Sequence, residues 1–126
     1  MKKYTLNSTE RIKHRKIIEN IFSIGETVYN GNIRINFIKT TFSDNAIAKV
    51  GFFVPKKKFK RAYKRNKLKR MMREVYRLNK PEFYDILTKK NIKIALLFVY
   101  LGNEIVDYNN IEKDILSALN KMIKKI

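Results

Sequence analysis

Twelve of the residues from Lys56 to Arg77 are Lys or Arg, and one, Glu74, is acidic. Like charges at this density repel one another. The segment can order itself only by turning its cations to one side and burying something apolar on the other. A helix from Ala62 onward does this. At about 100° per residue, Leu68, Met71, Met72, Val75 and Leu78 gather on one side. Lys69, Arg70, Arg73 and Arg77 gather opposite, with Asn66 among them. Pro81 stands just past the expected end. The Glu–Lys pairs of a self-neutralising solvated face are nearly absent. The arginine fork suits bidentate phosphate contact. The segment therefore predicts a phosphate-binding helix. Charge alone does not separate DNA from RNA, since both backbones are polyanions.

The rest of the chain supplies a core for that helix. Over 126 residues there are 29 Lys or Arg and 11 Asp or Glu, a formal net charge of +18, yet 44% of the residues are hydrophobic. Disorder needs low hydrophobicity as well as high charge, so a single packed domain is expected. Ile17, Ile18, Ile21 and Phe22 recur at helical spacing within His14–Ile24, with Gly25 at the place of a left-handed C-cap. Ser8 or Thr9 caps an earlier turn carrying Ile12. Val28-Tyr29, a turn at Asn30-Gly31, and the alternating Ile33, Ile35 and Phe37 read as strand, turn and half-buried strand. Ser43-Asp44-Asn45 marks another turn. Ile47 to Val54 reads as a longer, more fully buried strand that holds Phe52 and Phe53 in the core. Ile92 to Tyr100 is an apolar run of strand length. A last helix begins at Asn109 or Asn110, with Glu112 and Asp114 in its first turn and Ile111, Ile115, Leu119, Met122 and Ile126 as its stripe. The order predicts an α+β sandwich.

Catalytic groups are scarce. Without cysteine there is no disulfide, thiol nucleophile or Cys-ligated zinc, and a lone His14 excludes a histidine pair. His14, beside Lys13 and Arg15, reads as an exposed residue at a helix start. Asp44 falls in a turn; Asp85, Asp107 and the acids of the last helix read as surface. No metal-ligand spacing and no Gly-rich phosphate loop is present, so neither a metal site nor a protein catalytic residue is expected. The longest apolar run is far short of a membrane span, and Met1-Lys2-Lys3-Tyr4 lacks a signal-peptide core. The expected location is cytoplasmic. A general RNA-binding protein, a protein-only nuclease and a membrane-active basic protein are the rival readings. The nuclease lacks converging carboxylates, and the strands disfavour the membrane reading.

One stretch is more specific than composition. Lys56-Lys57, Ala62, Arg65-Asn66-Lys67, Leu68, Lys69-Arg70, Met71-Met72 and Arg73-Glu74 stand in a gapless order that closely resembles the signature of the bacterial ribonuclease P protein subunit. A Phe-x-x-Gly helix end (Phe22 to Gly25) and a Gly-Phe strand (Gly51-Phe52) agree with it. The resemblance extends over essentially the whole chain, as one RNA-binding domain over residues 1–126.

The resemblance implies an α-β-β-β-α-β-α sandwich, a ribosomal protein S5 domain 2-like fold with a left-handed β-α-β crossover. It implies a protein, monomeric before assembly, that joins a catalytic RNA and assists endonucleolytic removal of the 5′ leader from precursor tRNA. Magnesium (Mg2+) would be held mainly by the RNA. RNA contacts would fall on Lys56, Lys57, Lys58, Arg61, Arg65, Asn66, Lys67, Lys69, Arg70, Arg73 and Arg77. Lys67 stands where the family has a third signature Arg, which keeps the charge and loses the fork. A cleft between the first helix and the sheet would hold the single-stranded leader with Ile18, Phe22, Arg34 and Asn36. Ile18 and Asn36 stand where the family has aromatic residues, so part of the stacking, about 1–3 kcal/mol per base, is expected to be missing. The residue pattern of Phe22 fits core packing and base stacking equally. In place of the usual glycine before the alanine stand Lys60-Arg61.

Overall fold

The computed structural model describes residues 6–126; the Met1–Tyr4 stretch lies outside them. After one 3-10 turn (Ser8–Glu10) come α1 (Arg15–Ile24), β1 (Glu26–Asn30), β2 (Ile33–Lys39), β3 (Ala48–Phe53), α2 (Ala62–Lys90), β4 (Ile94–Tyr100) and α3 (Tyr108–Lys125). The sheet order is β1-β2-β4-β3; β1–β2 and β2–β4 are antiparallel and β3–β4 parallel. This is the expected mixed α+β domain, with α2 as the crossover between the parallel pair. No helix among the described residues is long and apolar enough to cross a membrane.

Alternation along the strands divides the sheet into two faces. Ile33, Ile35 and Phe37 of β2, with Ile94, Leu96, Phe98 and Tyr100 of β4, are buried in one cluster with Leu68, Met72, Val75, Phe83 and Leu87 of α2 and Ile111, Ile115, Leu119 and Met122 of α3. The other face carries Arg34, Asn36, Lys49, Gly51, Phe53, Ala95, Leu97 and Val99, and α1 packs across its β2–β4 part. α1 buries chiefly Ile21.

The early turn is capped by Asn7, not by Ser8 or Thr9, which lie inside it. Five further expectations need correcting. α2 does not stop before Pro81; it runs through it to Lys90. A proline in a helix interior costs about 3 kcal/mol, and burial of Phe83 and Leu87 beyond it, each worth about 1.5–3 kcal/mol, offsets that. The buried stripe of α2 drifts as the helix lengthens, through Leu68, Met72, Val75, Tyr76, Lys80, Phe83 and Leu87, which leaves Leu78 43% exposed. Gly25 is extended (φ −78°, ψ 172°), not left-handed. Its need for glycine is steric: a Cβ there would lie 2.3 Å from the Ile21 carbonyl oxygen and 2.6 Å from that of Phe37. Gly31, by contrast, does adopt positive φ (+56°) in the β1–β2 turn.

The fourth correction concerns α3. Its N-cap is Asp107, whose Oδ1 accepts the Asn110 N–H at 2.9 Å, so Glu112 and Asp114 lie beyond the first turn. Asp114 instead accepts the Asn32 N–H at 3.1 Å and fastens the β1–β2 turn. The fifth concerns β3. Among the strands it pairs only with β4, and its last residue, Phe53, is 48% exposed rather than core.

Candidate nucleic-acid interface

The basic segment begins as a loop braced from within. Lys56, Lys57 and Lys58 form an exposed turn after Val54. Phe59 plugs the core below it, tilted against Tyr100 at 5.9 Å. Lys58 Nζ donates to the Leu101 carbonyl. Arg65 turns back from α2, and its Nη1 donates to the carbonyls of Phe59 (2.7 Å) and Lys60 (2.9 Å). Arg61 is the exposed N-cap residue of α2.

Along α2 the cations divide by direction. Asn66, Lys67 and Arg70 are exposed, whereas Lys69 and Arg73 are half-buried beside β3. Arg77 closes an ion pair with Glu74, its Nη2 2.6 Å from Oε1. Hydrogen bonding to Arg77 holds the Glu74 carboxyl below the usual carboxylate range, and Glu74 pushes Arg77 up in turn. The Arg73 guanidinium lies over the Phe52 ring at 5.7 Å from its centroid. Phe52 in turn stacks on Phe98 at 5.5 Å, the two rings nearly parallel. A core aromatic column thus holds a surface cation in place.

Two clefts adjoin at the edge of β3. The first, about 360 Å³, is apolar and lies between α1 and the sheet, lined by Ile12, Ile18, Phe22, Gly51, Phe52, Phe53 and Leu97. Phe22 and Phe53 are 52% and 48% exposed, so two aromatic rings stand at its surface. Gly51 keeps the floor low, since a Cβ there would meet the Leu97 side chain at 2.8 Å. The second, about 230 Å³, shares Ile12, Gly51 and Phe52 with the first and brings together Arg11, Lys69 and Arg73. Aromatic rings and cations therefore lie side by side in one groove.

Similarity to known proteins agrees with this geometry. A family model described as Ribonuclease P matches residues 6–126. The chain belongs to that family. The ribonuclease P protein component of Porphyromonas gingivalis is 30% identical over 116 residues, covering 92% of this chain and 85% of the relative. That of a Thermotoga species is 33% identical over 116 residues, covering 90% and 92%. Among solved structures, the RNase P protein of Thermotoga maritima superposes with TM-score 0.70 at 25% identity over 89% of this chain and 96% of that one. The Staphylococcus aureus RNase P protein superposes with TM-score 0.73 at 19% identity, over 90% and 94%, a likeness of fold. Ribonuclease P is an endoribonuclease and a ribonucleoprotein, and a role in tRNA 5′ maturation comes with membership.

The residues that the ribonuclease P signature singles out are not all disposed alike. Ile18 and Phe22 line the apolar cleft. Arg34 and Asn36 share its sheet face on the β1 side, outside that lining. There Arg34 Nε donates to Asn36 Oδ1 (2.8 Å) and Asn36 Nδ2 to Thr27 Oγ1 (3.1 Å). Two groove residues were not anticipated. Arg11 carried no signal in its surroundings. Phe53 did: adjacent residues of a strand face opposite ways, so Phe52 and Phe53 cannot both enter one core. Among the described residues no group of three His, Asp or Glu could hold a metal ion.

Proposed function

We propose that residues 1–126 act as a single RNA-binding domain. Entering as a monomer, in the cytoplasm, it joins the catalytic RNA of ribonuclease P and holds the 5′ leader of precursor tRNA in the groove beside β3. The observation that carries this reading is the contiguity of the two clefts. Unpaired bases need π-faces, and the phosphates between them need cations within a nucleotide's length. Phe22 and Phe53 supply the first, with Ile18 as apolar wall; Arg11, Lys69 and Arg73 supply the second. Arg34 extends the leader path across the β1 side of the sheet, and Asn36, itself buried and bonded to Thr27, orients it.

The open cations Lys56, Lys57, Arg61, Lys67 and Arg70, with Asn66, face the catalytic RNA and release counterions from its backbone. Lys58 and Arg65 hold the loop in shape as well as adding charge. Arg77, neutralised by Glu74, contributes less. Magnesium does not fit the groove, where the converging side chains are the cations Arg11, Lys69 and Arg73 and the lining of the two clefts holds no carboxylate. No hydrolytic step is assigned to the protein; Mg2+ belongs with the RNA.

The direct test is cleavage of a precursor tRNA by the cognate RNA at low magnesium, with and without this protein. Faster cleavage with protein is expected, and equal rates would overturn the reading. A finer test concerns Arg73. Arg73→Ala is expected to weaken binding of precursor tRNA and reduce the slope of log K against log salt by about one phosphate's worth. An unchanged slope would remove Arg73 from the phosphate contacts.

A further inference from the structure

The segment Leu6–Ile12 is a strap along the free edge of β3. Its hold on the sheet backbone is slight: the Ile12 N–H donates to the Val50 carbonyl at 3.1 Å, beside a single parallel bridge from Arg11 to Val50. Lysine side chains do much of the fastening. Lys49 Nζ donates to the Thr9 carbonyl at 2.7 Å while paired with Asp44. Lys80 Nζ, reaching from α2, donates to both oxygens of Glu10, at 2.8 and 3.1 Å. The same carboxylate accepts the Asn7 N–H at 2.6 Å, so it closes the strap's own turn and ties that turn to α2. The side chains of Lys80 and Glu10 are only 5% and 9% exposed. The Tyr84 ring packs against the ammonium at 5.5 Å.

A buried ion pair is a poor source of stability, because desolvation consumes most of its attraction; its better-attested use is to fix one register among several. What is held in register here is Arg11 and Ile12. Arg11 is one of three cations of the cationic cleft, and Ile12 lies over Gly51 and lines both clefts. A strap that slid or lifted would take the Ile12 side of the wall away from the rings of Phe22 and Phe53 and remove one phosphate contact. We infer that Glu10 and Lys80 are positioning residues: their buried ion pair sets the strap as the wall of the RNA groove and thereby sets the preference for leader-bearing over mature tRNA. This rests on the leader-groove reading given above.

The test compares Lys80→Met, Lys80→Arg and Glu10→Gln with Leu119→Ala, a core change in α3 far from the strap. Two quantities are measured: hydrogen exchange at the Ile12 amide of the free protein, and the ratio of affinities of the reconstituted holoenzyme for precursor and mature tRNA. Lys80→Met is expected to speed exchange at Ile12 and lower the ratio about fivefold. Lys80→Arg is expected to keep most of the ratio, and Leu119→Ala to keep all of it. Should Lys80→Met fail to fold, Glu10→Gln carries the same expectation with a smaller effect. A ratio unchanged while the strap loosens, or one that falls equally in Leu119→Ala, would overturn the inference. Phe22→Ala separates the two ideas. If it lowers the ratio and Lys80→Met does not, the groove reading stands and the latch fails. If neither does, the groove reading itself fails.

Discussion

Replacing Phe22 and Phe53 together by alanine will weaken binding of leader-bearing precursor tRNA by on the order of a hundredfold, at ~1–3 kcal/mol per stacked base. Mature tRNA will bind as before. Both rings are half exposed, so truncating them opens no core cavity, and stability should change by no more than about 0.5 kcal/mol. That separates binding from folding, which a buried aromatic would not allow. Either single change should cost about tenfold, since each removes one π-face. The substitution Phe53→Trp adds a direct probe, because the chain has no tryptophan of its own. Its emission should respond to a single-stranded leader oligonucleotide and not to a duplex of equal charge. If precursor and mature tRNA weaken alike in the double variant, the rings do not touch the leader.

Phe53 also marks how far the sequence could be read. The element order, the apolar stripe of α3 and the alternation of β2 follow from local periodicity, and the structure has all of them. Periodicity failed where tertiary burial overrode a local signal. Pro81 reads as a stop until Phe83 and Leu87 are known to reach the core. Gly25 reads as a left-handed cap until the Phe37 carbonyl is known to approach it. The basic segment reads as one face because spacing cannot tell which cation is spent inside the protein. Arg65 is turned onto the loop, Arg77 onto Glu74, and Lys69 and Arg73 toward β3. The Glu10–Lys80 pair joins residues 70 positions apart, so no window contains it. A trace was there nonetheless. Lys80 follows Tyr76 by four on the buried stripe, and a charge on an apolar stripe requires a partner. The groove was legible in part, through Ile18 and Phe22; its cationic half needed the strap and α2 to be brought together in space.

The largest effect on stability is expected at Phe98. It lies fully buried on β4, the strand paired on both sides, and touches Phe52 face to face and Tyr76 edge to face. Phe98→Ala should cost about 3–5 kcal/mol, transfer and cavity terms together. With a urea slope of about 2 kcal/mol/M, the midpoint should fall by roughly 2 M. Leu78→Ala on the exposed side of α2 should leave it within about 0.3 M on the same slope. The second consequence is functional. Without Phe98 beneath it, Phe52 loses its stacking partner and Arg73 loses the fixed ring on which its guanidinium rests. The variant, assayed where it is still folded, should therefore lose part of the salt-dependent affinity for precursor tRNA that Arg73→Ala loses, although residue 98 is buried and meets no RNA. Combining the two changes should then cost less in affinity than the sum of each alone, because they remove one contact twice. Full additivity would mean that α2 by itself holds Arg73 in place and that the aromatic column serves the core only.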